Sequence, residues 1–206
     1  MTAEPTPQRV DGRTARSERT RNAIVDAHVA LITDGDLRPT ADRIAKEAGV
    51  SLRALWSHFA DMEALFAASG QRILDRRDAA FEPIDADLPL AERITAYCRQ
   101  RARLSETIAP AARAAALKEP FSPALQRYRK LHVERVRAEV RALFAAETTG
   151  DPDLVEAITA VSMWNTWDTM RTPMEMTQAR AAATLERVIT SLLDAAERRR
   201  RSRTGS

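Results

Sequence analysis

Residues 40–66 read TADRIAKEAGVSLRALWSHFADMEALF, and this block leaves the chain few ways to fold. It holds two amphipathic segments, 41–48 and 52–58, each too short to persist as a helix without neighbours. Thr40 can cap the first, Ser51 the second, and Asp61 a third segment that follows. Gly49 between them tolerates the left-handed backbone of a tight turn. Ile44, Ala45, Ala48, Val50, Leu55 and Phe59 form the inner faces and must be covered. A preceding helix over 16–33, with Ile24, Ala27, Leu31 and Ile32 on one stripe and Gly35 as its stop, can cover them. So can the helix after Asp61, which runs through Leu65, Phe66, Ile73 and Leu74 to Arg77. Packing of this kind leaves Arg53, Trp56, Ser57 and His58 on a free face of segment 52–58.

The rest of the chain carries helical signals and no strand signals. Residues 82–89, EPIDADLP, read as a linker. A helix over 90–106 carries Ile94, Tyr97, Arg101 and Leu104, and Pro110 opens a short Ala-rich helix to Lys118. Ser122-Pro123 and Asp151-Pro152 are caps followed by proline at the first helical position. They start helices over 123–144 and 152–170. A last helix spans 177–199. The reading is an all-α protein of about nine helices, split as four and five. Its expected parts are a disordered basic arm at 1–15, a helix-turn-helix domain at 16–60, a connecting helix at 61–81, a helical C-terminal domain at 82–199 and a disordered basic tail at 200–206.

Composition bounds the function. The glycines form no phosphate-cradling loop, and His28, His58 and His132 have no paired metal spacing. The single Cys98 excludes an intrachain disulfide framework. An enzyme, a cofactor and a metal site are therefore not expected. No run approaches the about 18–20 apolar residues of a membrane span, and the first twenty residues lack the apolar core of a signal peptide. A cytoplasmic protein is expected. Net charge is only +3, but arginines cluster at Arg9, Arg13, Arg16, Arg19 and Arg21 and again at Arg198–Arg201 and Arg203. Basic ends attract phosphate, although the second cluster also suits a solvated helix end.

The block 40–66 resembles the signature of the tetracycline-repressor (TetR) family of bacterial transcription regulators. The matching elements are Thr40, Ile44-Ala45, Ala48-Gly49-Val50-Ser51, Trp56-Ser57-His58-Phe59 and Glu63-Ala64-Leu65-Phe66, after a first helix with Arg21, Ile24, Ala27 and Gly35. The resemblance covers residues 16–70. It implies that segment 52–58 is a recognition helix for the major groove of double-stranded DNA. The implied contacts are Arg16, Arg19, Thr40, Ser51, Leu52, Arg53, Trp56, Ser57 and His58. Arg53 suits guanine or phosphate, and Leu52 a thymine methyl. Thr40 serves as cap, as phosphate donor, or as both. Trp56 either donates to phosphate or only covers the hinge between helices. There are two departures: Trp56 stands where the family usually has Tyr, and Met62 where it usually has a phosphate-binding Lys.

The resemblance further implies a homodimer built on the last helices and a small-molecule site among the others. The stripe Ala181, Leu185, Val188, Ile189, Leu192 and Leu193 suits self-pairing or an ordinary core. Candidate ligand residues are Tyr97, Arg101, Phe121, Tyr128, His132, Met163, Trp164 and Trp167, with Cys98, Asn165 and Met170 beside them. Plain core is the competing reading for each aromatic and Met. The expected function is a repressor released from a palindromic operator by a small molecule. The alternatives are a ligand-independent regulator or activator, and a helical interaction module whose helix-turn-helix no longer binds DNA.

Overall fold

The structure, a computed structural model, describes residues 12–204. These form ten α-helices: α1 Gly12–Thr33, α2 Ala41–Glu47, α3 Leu52–His58, α4 Met62–Ala79, α5 Leu90–Ala116, α6 Pro123–Leu143, α7 Ala145–Thr148, α8 Pro152–Val161, α9 Trp164–Arg171 and α10 Gln178–Thr204. Because α7 is a single turn, nine helices are longer than that, and no strand occurs among the described residues. The expected caps are all in use. Thr40 accepts from Arg43 N (3.3 Å), Ser51 from Ala54 N (3.1 Å), Asp61 from Ala64 N (2.8 Å), Ser122 from Leu125 N (3.2 Å) and Asp151 from Leu154 N (3.0 Å). Gly49 joins α2 to α3 at φ +66°, where a side chain would be strained.

Helices α1–α3 close on a small core of Ile24, Val25, Ala27, Ile44, Ala45, Leu55 and Phe59, sealed by Leu65 of α4. The larger core lies among α5, α6, α8 and α10. Phe144, at its centre and fully buried, meets the Tyr97 ring edge-on at 5.5 Å. Helix α4 belongs to both halves, packing on α1 at one side and on α6 at the other.

Four features differ from the sequence reading. The arm expected over 1–15 is helical from Gly12 onward, while residues 1–11, with Arg9, lie outside the described residues. The tail expected over 200–206 continues α10 to Thr204, with Glu197 paired to Arg201 one turn on (2.7 Å); residues 205–206 lie outside. Pro110 sits inside α5 rather than opening a new helix. The lost backbone donor costs about 3 kcal/mol. The buried Ile108, Ala109 and Ala114 on either side hold the helix continuous. Conversely, the helix expected over 152–170 breaks at Ser162-Met163. There the buried Arg101 Nη2 donates to Ser162 O at 3.0 Å and satisfies the carbonyl at the end of α8.

On α10, Ala181, Leu185, Ile189 and Leu193 are buried within the chain's own cores, as an ordinary core stripe would be. Leu192 packs partly against the larger core, and Val188 remains exposed.

Candidate functional site

The reading face is set by Leu55. This residue is fully buried and anchors α3, so the opposite side of the helix turns outward. Leu52 and Trp56 are exposed there despite their apolar character (37% and 39%), with Arg53 and Ser57 beside them. Ser57 Oγ donates to Ala54 O at 2.7 Å, which leaves its lone pairs outward. His58 is half-buried at the helix end. Thr40 and Ser51 lie at the exposed starts of α2 and α3. Arg16 and Arg19 are exposed on the first turns of α1. Arg21 instead lays its guanidinium over the Phe59 ring at 4.8 Å, bracing the end of α3. Met62 packs against the small core, so the cation absent at this position is replaced by apolar contact.

The second feature is a cavity of about 150 Å³ at the joint between the two halves. Helix α1 contributes His28 and Ile32. Helix α4 contributes Phe66, Ser69, Gly70, Ile73, Leu74 and Arg77. Ile108 and alanines of α5, Lys118 beyond it, and Tyr128 and His132 of α6 close the other sides, with Met163, Trp164 and Asn165 at the end. His28 is fixed across the joint: its Nδ1 lies 2.7 Å from Ser69 Oγ and its ring stacks on Phe66 at 5.8 Å. Lys118 covers the Phe66 ring at 4.9 Å. Burial, reinforced by Lys118, pushes His28 down to about 4, so the ring is neutral.

Of the residues expected at a ligand site, Tyr128, His132, Met163, Trp164 and Asn165 meet at this cavity. Tyr97, Arg101, Phe121 and Trp167 do not line it. Tyr97 and Cys98 are in the larger core, where burial pushes both up to about 12. Arg101 is held between Ser162 and Glu139, and Trp167 packs with Met170 and donates its indole N–H to Glu106 at 3.1 Å. Phe121 points to solvent at 88% exposure, because the 3₁₀ turn Glu119–Phe121 turns its ring away from the helices. The sequence reading overlooked the walls supplied by α1 and α4. Their signal is present: His28 lies four residues from both Ile24 and Ile32, on the buried stripe of α1.

At Gly70, α4 approaches the Tyr128 ring of α6 closely. A methyl group there would meet the Tyr128 ring carbons at 2.7 and 2.8 Å. Gly70→Ala is expected to displace Tyr128 and to cost about 1–3 kcal/mol, because packed rings resist such shifts. Thermal unfolding checks this, and an unchanged Tm would count against the close contact.

Residues 24–69 match the family model for bacterial regulatory proteins of the tetR family. This stretch of the chain, from α1 into α4, is thus similar to the DNA-binding domain of that family. Several solved structures share the fold over nearly the whole molecule. A transcriptional regulator from Rhodococcus sp. Rha1 is 21% identical over 87% of this chain and 96% of its own, with a TM-score of 0.64. A TetR-family regulator from Streptomyces coelicolor is 18% identical over 87% and 82%, with a TM-score of 0.67. The multidrug binding protein EbrR, complexed with imidazole, is 21% identical over 91% and 97%, with a TM-score of 0.60. No curated protein matches the chain. Residues 24–69 thus form a helix-turn-helix domain like that of bacterial regulatory proteins of the tetR family, and the chain as a whole shares its fold with these solved structures. Among the described residues no helix is long and apolar enough to cross a membrane.

Proposed function

We propose that this protein is a TetR-family regulator, a ligand-responsive repressor that binds a palindromic operator as a homodimer in the bacterial cytoplasm. The observation that carries this reading is the position of the cavity. Its walls include α1 and α4 of the reading head as well as helices of the body, so an occupant touches both. A ligand that prefers one arrangement of the two halves lowers DNA affinity by its differential affinity for that arrangement. EbrR has the same fold and holds a small ring compound, which supports a small effector here. Arg53, Leu52, Trp56, Ser57 and His58 are the proposed base and phosphate contacts on α3. Thr40, Ser51, Arg16 and Arg19 are the proposed flanking contacts. The exposed outer side of α10, with Val188, is the proposed meeting surface of the two subunits.

The test is fluorescence anisotropy on the DNA upstream of the protein's own gene, against random DNA, at two salt concentrations. Tight, site-selective and salt-sensitive binding is expected. Arg53→Ala should weaken it by about 1–3 kcal/mol per half-site and leave binding to random DNA nearly unchanged. Equal affinity of the wild type for both DNAs, with a shallow salt dependence, would point instead to an interaction module.

A further inference from the structure

The wall of the joint cavity is short of negative charge. Arg77 and His132 both wall it, and both are at least nine-tenths buried, at 3% and 9% exposure. Arg77 Nε and His132 Nε2 have no hydrogen-bond partner. Arg101, 1% exposed, acts on both through its charge, and its Nη1 and Nε are also without hydrogen bonds. Two buried guanidiniums therefore converge on the single carboxylate of Glu139. One oxygen pairs with Arg77, and the other stays 3.7 Å from Arg101 with no hydrogen bond.

The remaining charges do not correct the imbalance. Asp78 accepts from Arg77 at 3.0 Å but is exposed and shared with Arg135, also at 3.0 Å. Glu119, a carboxylate lining the cavity, is paired with Arg129 at 3.3 Å. Lys118 adds a further cation to the wall. His132 feels Arg101, Arg77, Arg135 and Arg129. Burial first and these four cations next push it down to about 3. Arg77, Arg101 and Arg135 thus share the two carboxylates of Glu139 and Asp78, and an anion arriving from solvent relieves this excess of cations. Most of the remaining wall is apolar, with Ile32, Phe66, Ile73, Leu74, Ile108 and Trp164, and His28, Ser69, Arg129 and Asn165 are its other polar members. The volume matches one small ring, since an apolar cavity of about 150 Å³ accepts benzene.

We infer that the effector is a small monocarboxylic acid, its apolar body among the aliphatic and aromatic walls and its carboxylate against Arg77 and His132. The inference rests on the proposal that this cavity is the effector site. Neutral His132 can donate from Nε2 and Arg77 from Nε, and both donors are without partners until an acceptor arrives.

Isothermal titration of the full-length protein with benzoate, phenylacetate and hexanoate tests this against benzamide, phenylacetamide and hexanamide, which match them in shape without the charge. At least one acid is expected to bind at least tenfold more tightly than its amide. Glu139→Gln removes the competing internal carboxylate and should tighten acid binding severalfold without tightening amide binding. A merely structural role for Arg77 and Arg101 would not produce that change. His132→Phe should narrow the gap between acid and amide. Amides binding as well as acids, or Glu139→Gln leaving acid affinity unchanged, would overturn the inference. The wild-type comparison decides even where a variant does not fold. Operator release is measured separately. Acids that bind but leave the operator bound would defeat the release reading and keep the acid site, whereas binding of neither series would defeat both.

Discussion

Acidification from pH 7 to pH 4 is expected to strip the protein of several kcal/mol of stability, through two buried histidines. His28 is held down to about 4 and His132 to about 3, both chiefly by burial, against an ordinary value of 6.5. A histidine with a folded pKa below its unfolded one takes up a proton when the chain unfolds. Stability is therefore fully present above pH 6.5 and falls as pH drops through the window from 6.5 toward 4 for His28 and toward 3 for His132. Each pKa unit corresponds to about 1.4 kcal/mol, so the two rings together account for a loss on the order of several kcal/mol. Chemical denaturation at a series of pH values measures it. A double variant, His28→Gln with His132→Gln, should flatten the curve between pH 6.5 and 4. A wild-type curve already flat in that range would mean the rings are solvated. The joint is then the part of the molecule that yields first to acid, because both rings wall its cavity.

The second large effect is expected at Leu55. Truncation to alanine at a fully buried leucine costs about 2–5 kcal/mol, according to how well the site collapses. Helix α3 has only seven residues and cannot survive on its own propensity. Leu55→Ala should abolish operator binding while the larger core around Phe144 stays folded. Hydrogen exchange would then find loss of protection over 41–59 with protection retained in α5, α6 and α10. Operator affinity equal to wild type would show that α3 is held by something other than this side chain.

These two sites also mark what was legible in the sequence. The reading head was legible because its determinants are local. Thr40, Ser51 and Asp61 cap helices that begin one residue later, and Gly49 makes the turn between α2 and α3. The joint cavity was only half legible. Tyr128, His132, Met163 and Trp164 could be picked out as aromatic or sulfur-bearing residues of the body, but their partners on α1 and α4 lie far away in sequence. The break at Ser162 has no local signal, since the guanidinium that stabilises it comes from Arg101, 61 residues earlier. Pro110 misled for the opposite reason: a strong local breaker was overridden by burial on both sides of it. Phe121 misled because an aromatic ring next to a helix start gives no indication of which way a 3₁₀ turn will point it.

The three tryptophans have a practical consequence. Trp56 stands in solvent on the reading face, Trp164 forms part of the cavity wall, and Trp167 is sealed in a separate cluster. The molecule therefore carries its own spectroscopic labels, one at the surface offered to nucleic acid, one at the chamber and one as an internal reference. Single Trp→Phe replacements at Trp56 or Trp164 would assign each emission change to its place, so that operator docking and chamber filling could be followed separately in one unlabelled sample.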